Sequence, residues 1–101
     1  MAEMYHLQVR SPEQILLDLP AVSRVQAQLI DGPITILRGH IPLVGEMAEG
    51  ALRYCTSDRA EEEIHLQPGI LRVERGKITV LTSGLIRRGG SRTAPTFGQI
   101  R

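Results

Sequence analysis

The sequence predicts an all-β domain, an antiparallel β-sandwich or flattened barrel of about eight to ten short strands over residues 1–88, followed by an irregular basic tail over 89–101. Three observations predict it. Apolar residues recur at every second position through most of the chain, the period of a strand with one buried face. Gly, Pro and Asp steps interrupt those runs at short intervals, as hairpin connections require. No segment before residue 84 carries a helical period.

In "MYHLQV", Tyr5, Leu7 and Val9 share one face of a strand, and His6, Gln8 and Arg10 share the other. The run Ile15–Leu17 lies between Pro12 and Pro20 and reads as a second short strand bounded by breakers. A separate strand follows in "VSRVQAQLI", with Val25, Ala27 and Leu29 inward and Arg24, Gln26 and Gln28 outward. The step Asp31-Gly32-Pro33 is a turn signal: Gly32 tolerates positive φ and Pro33 has its φ fixed near a turn value. "ITIL" reads as the next strand, and "RGHIP" as a corner leading into "LVGEMAEG".

"ALRYCT" places Leu52 and Tyr54 on one side, and "SDRAEEE" reads as a polar hairpin loop entering the next strand. Beyond it, Ile64 with Leu66, Leu71 with Val73, and Ile78 with Val80 mark three strands separated by "QPG" and "RGK". Leu66, Leu71, Val73, Ile78 and Val80, with Val25 and Leu29, are the expected core. From Arg87 onward the composition changes: Gly89, Gly90 and Pro95 break regular structure, and Arg87, Arg88, Arg92 and Arg101 appear without an acid, as in a flexible, solvated tail.

At 101 residues the chain has room for one core, and 42 % apolar with 23 % charged residues is ordinary for a globular domain. Tyr5, Tyr54 and Phe97 are the only aromatic residues, so platforms for stacking bases or sugars are nearly absent, and the net charge of +1 gives no electrostatic footprint for nucleic acid. Cys55 stands alone and has no partner for an internal disulfide, which favours a reducing compartment. Neither a signal-peptide pattern nor a run of about 20 apolar residues is present, so a membrane association is expected to be peripheral.

Catalytic and metal signatures are missing. His6, His40 and His65 match no ligand spacing, and His6 and His65 alternate with inward residues and so point to the solvated side of their strands. Gly32, His40, Glu46 and Gly50 are loosely similar to a cupin metal motif, but the paired histidines that open such a site are absent; a cupin-like metal- or small-ligand-binding barrel is the alternative reading. Cys55 has no adjacent base, no serine sits in a G-x-S-x-G turn, and there is no phosphate loop or dinucleotide fingerprint. The run Glu61–Glu63 reads as a solvated strand entry that discourages edge pairing.

Three segments in order, "YHLQVRSPEQ", "DGPITILRGHIPLVGEMAEGALRY" and "IHLQPGILRVERGKITVLTSGLIRRG", resemble the N-terminal β-sandwich of the epsilon subunit of F-type ATP synthases, called delta in mitochondria. The resemblance covers residues 5 to 88. It implies a non-catalytic rotor subunit of the central stalk, without cofactor or metal, coupling the gamma shaft to the membrane c-ring and connected through gamma to the alpha/beta head. It implies a location peripheral to the cytoplasmic face of a bacterial inner membrane, or to an organellar inner membrane. The partner-interface residues it implies are Asp31, Gly32, Ile36, Arg38, Gly39, His40, Pro42 and Leu43, with the loop from Asp31 to Arg38 set on the ring and one flank on the shaft. His40 is then a corner residue whose ring nitrogens satisfy local backbone groups. The sequence departs from the family pattern at Thr35, where a small residue, often Gly, is usual, at Arg38, where Pro is frequent, and at Pro33, where an acid is usual; Pro33 alters the polar contact expected at the ring. Family members continue into a two-helix hairpin that can inhibit rotation, and the few Gly- and Pro-bearing residues after Gly89 imply coupling without that device.

Overall fold

The computed structural model describes residues 4–56 and 60–91, and the regular structure within them is entirely β. In chain order the strands are β1 (Tyr5–Arg10), β2 (Ile15–Leu29), β3 (Gly32–Leu37), β4 (Leu43–Met47), β5 (Gly50–Thr56), β6 (Glu61–Leu66), β7 (Gly69–Glu74), β8 (Lys77–Thr82) and β9 (Leu85–Ser91). One layer runs β1-β8-β7-β4, and the other runs β3-β2-β5-β6-β9.

β2 belongs to both layers. Its first half pairs with β1, with Val9 opposite Leu17 and Leu7 opposite Leu19, while its second half lies between β3 and β5, with Val25 opposite both Ile36 and Tyr54. At its far end Leu29 meets Met47 of β4, so the pairing closes a ring through β2, β1, β8, β7 and β4. All pairings are antiparallel except β1 with β8, where Leu7 lies beside Ile78 in parallel. These two strands are far apart in sequence, so no tight hairpin dictates their direction.

The expected division at Pro20 does not occur: a single strand passes through it. The β1–β2 register slips between the Leu7–Leu19 and Tyr5–Val22 pairs, and Pro20 sits in that irregularity, where a missing N–H removes no ladder bond. Of the polar "SDRAEEE" run, residues 57–59 lie outside the described residues, whereas Glu61–Glu63 are the first half of β6, half-buried and paired with β5. β9 continues through Gly89 and Gly90, so the boundary expected at 88 falls within a strand; in its ladder to β6 Gly90 lies opposite Glu63, and the two register shifts fall at Gly89 and at Ile86. The rest of the expected tail, residues 92–101, lies outside the described residues.

The core follows the alternation. Leu7, Val9, Val25, Leu52, Leu66, Leu71, Ile78 and Val80 have no exposed surface, and Tyr54 and Val73 are nearly as buried. Leu29 packs against this cluster from its margin. Each fully buried Leu, Val or Ile contributes about 1.5–3 kcal/mol relative to an exposed one, so the aliphatic interior sustains the fold without tryptophan.

Candidate functional site

The two ends of β3 differ in chemistry. At one end β2 and β3 form a hairpin, Leu29 opposite Gly32, with Ile30 and Asp31 as its two-residue turn. The Ile30 amide donates to the Glu46 carbonyl at 2.9 Å and the Ala48 amide to the Gln28 carbonyl at 2.9 Å, which brings the end of β4 alongside. Asp31, Glu46 and Glu49 are exposed, and Ile30 is 62 % exposed among them.

At the other end the chain turns a corner over residues 38–42. Gly39 adopts φ 81°, a left-handed conformation that a side chain would strain. The His40 amide lies 3.1 Å from both the Leu37 carbonyl and the Tyr5 hydroxyl, while that hydroxyl donates to the Leu37 carbonyl at 3.3 Å. His40 Nδ1 donates to the Ile41 carbonyl at 2.7 Å. A buried tyrosine from β1 and a histidine ring thus satisfy backbone groups that the corner leaves without a ladder partner. Beside the corner an open cleft of about 730 Å³ is lined by Met4, Tyr5, His40, Ile41, Pro42 and Arg75.

The eight expected interface residues therefore separate. Asp31 and Gly32 occupy the hairpin, Arg38, Gly39, His40 and Pro42 the corner, and Leu43 the first position of β4, with β3 running from Gly32 to the corner, about 20 Å at strand rise. Ile36 is corrected outright: it has no exposed surface and packs in the core opposite Val25. The exposed residues of β3 are Pro33, Thr35 and Leu37, and Leu43 is half-buried against the core.

A surface that the sequence reading missed lies on the outward side of the β1-β8-β7-β4 layer. Ile70 on β7 is opposite Leu81 on β8, Leu81 is beside Arg10 on β1, and Arg10 is opposite Ile15 on β2. Ile15, Ile70 and Leu81 are 49 %, 40 % and 49 % exposed, and Val44, diagonal to Ile70 across β4 and β7, is 66 % exposed. The available signal was apolar doublets that break the alternation: Leu43-Val44, Ile70-Leu71 and Val80-Leu81.

The outward side of the other layer carries a bonded polar network beside the exposed Leu37 of β3. Arg24 meets Glu61 at 3.5 Å, Arg53 meets Glu63 at 2.9 Å, His65 meets the same carboxylate at 2.7 Å, and Gln26 donates to Thr35 at 3.3 Å. Burial pushes the Glu63 carboxyl up, but the hydrogen bonds and charges of Arg53 and His65 outweigh it and hold Glu63 below its ordinary value. On the first layer His6 bonds Asp18 across β1 and β2, and chiefly through that bond Asp18 is held below the usual carboxylate range.

Among the described residues no three His, Cys, Asp or Glu side chains converge as a metal site. His6, His40 and His65 have separate partners: Asp18, the Ile41 carbonyl and Glu63. The cupin-like alternative finds no support in this geometry or in the comparisons that follow.

A family model described as ATP synthase, Delta/Epsilon chain, beta-sandwich domain matches residues 4–88. Among solved structures, the chain is similar to one in the Euglena gracilis mitochondrial ATP synthase, described as OSCP/F1/c-ring in rotational state 1, with a TM-score of 0.78 and 17 % identity over 84 % of this chain and 54 % of that one. It is also similar to one in the Tetrahymena thermophila mitochondrial ATP synthase, described as central stalk/c-ring, with a TM-score of 0.70 and 13 % identity over 83 % of this chain and 66 % of that one. At these identities the likeness is one of fold, and the chain spans between about half and two thirds of the length of the chains it resembles.

Proposed function

Because the chain belongs to the ATP synthase delta/epsilon family through its beta-sandwich domain, we propose that it is a non-catalytic rotor subunit of the central stalk, coupling a gamma shaft to the c-subunit ring. The observation that carries this reading is the matched domain together with an outward face bearing Ile15, Val44, Ile70 and Leu81, which are exposed in the isolated chain. Aliphatic side chains collected on one side of a sheet favour a macromolecular partner. The gamma shaft is assigned to that face, and the ring to the hairpin end at Ile30, Asp31 and Gly32 with the exposed residues of β3. The alpha/beta head is reached only through gamma.

A coupler must transmit torque without shearing. The pairing ring through β2, β1, β8, β7 and β4, filled by fully buried Leu7, Leu71, Ile78 and Val80, supports that task because a close-packed interior yields little under load. Its place is peripheral to the membrane, on the cytoplasmic face of a bacterial inner membrane or, as in the mitochondrial enzymes of similar fold, on an organellar one. No cofactor is required for this role.

The test is co-expression with the gamma and c subunits of the same source, followed by affinity purification through this chain. A stoichiometric complex with gamma is expected. Recovery of the chain alone at micromolar concentration overturns the assignment.

A further inference from the structure

We propose that in the free subunit the outward side of the β1-β8-β7-β4 layer is covered by a second copy of this chain, the two related by a two-fold axis along the strands between β7 and β8. The register across the layer carries the argument. Glu46 on β4 lies opposite Ile70 on β7, Ile70 opposite Leu81 on β8, and Leu81 beside Arg10 on β1, and all four residues are exposed. One row across the sheet therefore runs acid, aliphatic, aliphatic, base.

A two-fold axis lying in the contact plane reverses such a row. It sets Ile70 on the second copy's Leu81, and it brings Glu46 to the second copy's Arg10 and Arg10 to its Glu46. Among the described residues Glu46 has no cation and Arg10 no carboxylate within ion-pair distance, so both charges are available. Further along the strands, Glu74 and Lys77 oppose each other across β7 and β8, as do Arg72 and Thr79. The same axis places Glu74 over the second copy's Lys77 and Arg72 over its Thr79, so opposite charges meet and like charges do not. The face thus carries its own complement, which is what selects a second copy as the occupant.

The contact is small. Four strands of five or six residues cover about 400 Å² per copy at ordinary strand spacing and rise, at the low end for protein interfaces. The dimer is accordingly weak and exchangeable. Resting on the coupler reading, which assigns the same face to the shaft, the second copy shields the aliphatic pair until gamma displaces it.

The experiment is sedimentation equilibrium of the full chain up to about 200 µM at low salt, with thermal melts confirming that each variant is folded; a monomer–dimer equilibrium with Kd of about 10–100 µM is expected. Glu46→Arg and Arg10→Glu are each expected to weaken the dimer about tenfold. The double variant Glu46→Arg/Arg10→Glu, in which acid and base exchange places, should return to within about twofold of the wild type. Leu81→Asp should abolish the dimer, and Arg87→Glu, on the opposite layer, should leave it unchanged. A wild type that stays monomeric, a dimer indifferent to both single changes, or a double variant no better than the singles overturns the proposal. Added gamma is expected to convert the dimer into a one-to-one complex, and gamma bound to an intact dimer overturns the shared use of the face. A dimer with the expected charge-swap behaviour that gamma does not bind upholds the two-fold contact and sinks the coupler reading.

Discussion

The two outward faces of this sandwich use the same strand geometry for opposite ends. On the β3-β2-β5-β6-β9 layer, Arg53, Glu63 and His65 bond one another, Arg24 meets Glu61, and Gln26 meets Thr35. On the β1-β8-β7-β4 layer, Ile70 and Leu81 face outward as a direct cross-strand pair. Polar side chains that satisfy one another can remain in water, whereas an aliphatic row on a sheet face gains free energy only when something covers it. The contrast teaches that an interface here is marked by what is left uncovered rather than by any reactive group.

The harshest way to break the contrast is to damage what both faces share. A Cβ added at Gly69 would lie 2.0 Å from the Leu81 carbonyl oxygen and 2.9 Å from the Thr82 Cα, a backbone clash between β7 and β8. Gly69→Ala is expected to cost about 3 kcal/mol or more in denaturant unfolding, and to reduce stability and partner binding together. Next in size, Leu81→Asp should weaken gamma binding about 100-fold while changing stability by less than about 0.5 kcal/mol. Equal loss of stability would show that Leu81 serves the fold rather than a partner.

The polar face should respond in the reverse sense. Glu63→Gln is expected to cost about 1–2 kcal/mol of stability at neutral pH through its charged hydrogen bonds, with gamma binding unchanged. Its pH dependence has a definite sign. The folded carboxyl is held below its ordinary 4.5, so its contribution is fully present above 4.5 and is lost as pH falls through the lower folded value. Unfolding free energies of wild type and Glu63→Gln should therefore converge in acid, and a gap that widens there would contradict the Arg53–Glu63–His65 arrangement. The smallest effect is expected for Thr35→Ala, which removes one exposed bond to Gln26 and should change stability by about 0.5 kcal/mol or less.

Most of the fold was legible because a buried sheet face imposes a period of two. Tyr5, Leu7 and Val9, Leu71 and Val73, and Ile78 and Val80 all face inward as their alternation required. Pro20 has the local chemistry of a breaker, and nothing in its own sequence neighbourhood reports the slip in the β1–β2 register that accommodates it. Ile36 shows a similar limit: the resemblance supplied a contiguous interface segment, but alternation inside a strand turns every second residue into the core. The Asp31 hairpin and the His40 corner were both recognisable as turns, yet their separation follows from the length of β3 rather than from their own sequences. The apolar outward face was hidden because a doublet such as Ile70-Leu71 reads as extra core until the pairing shows which member points out.

β2 carries one further consequence. A single backbone of 15 residues is a member of both layers, so neither layer can come apart while the other keeps its half of that backbone in register. Melting should consequently be one concerted event, with amide exchange at Val22, Val25 and Ala27 as slow as global opening allows.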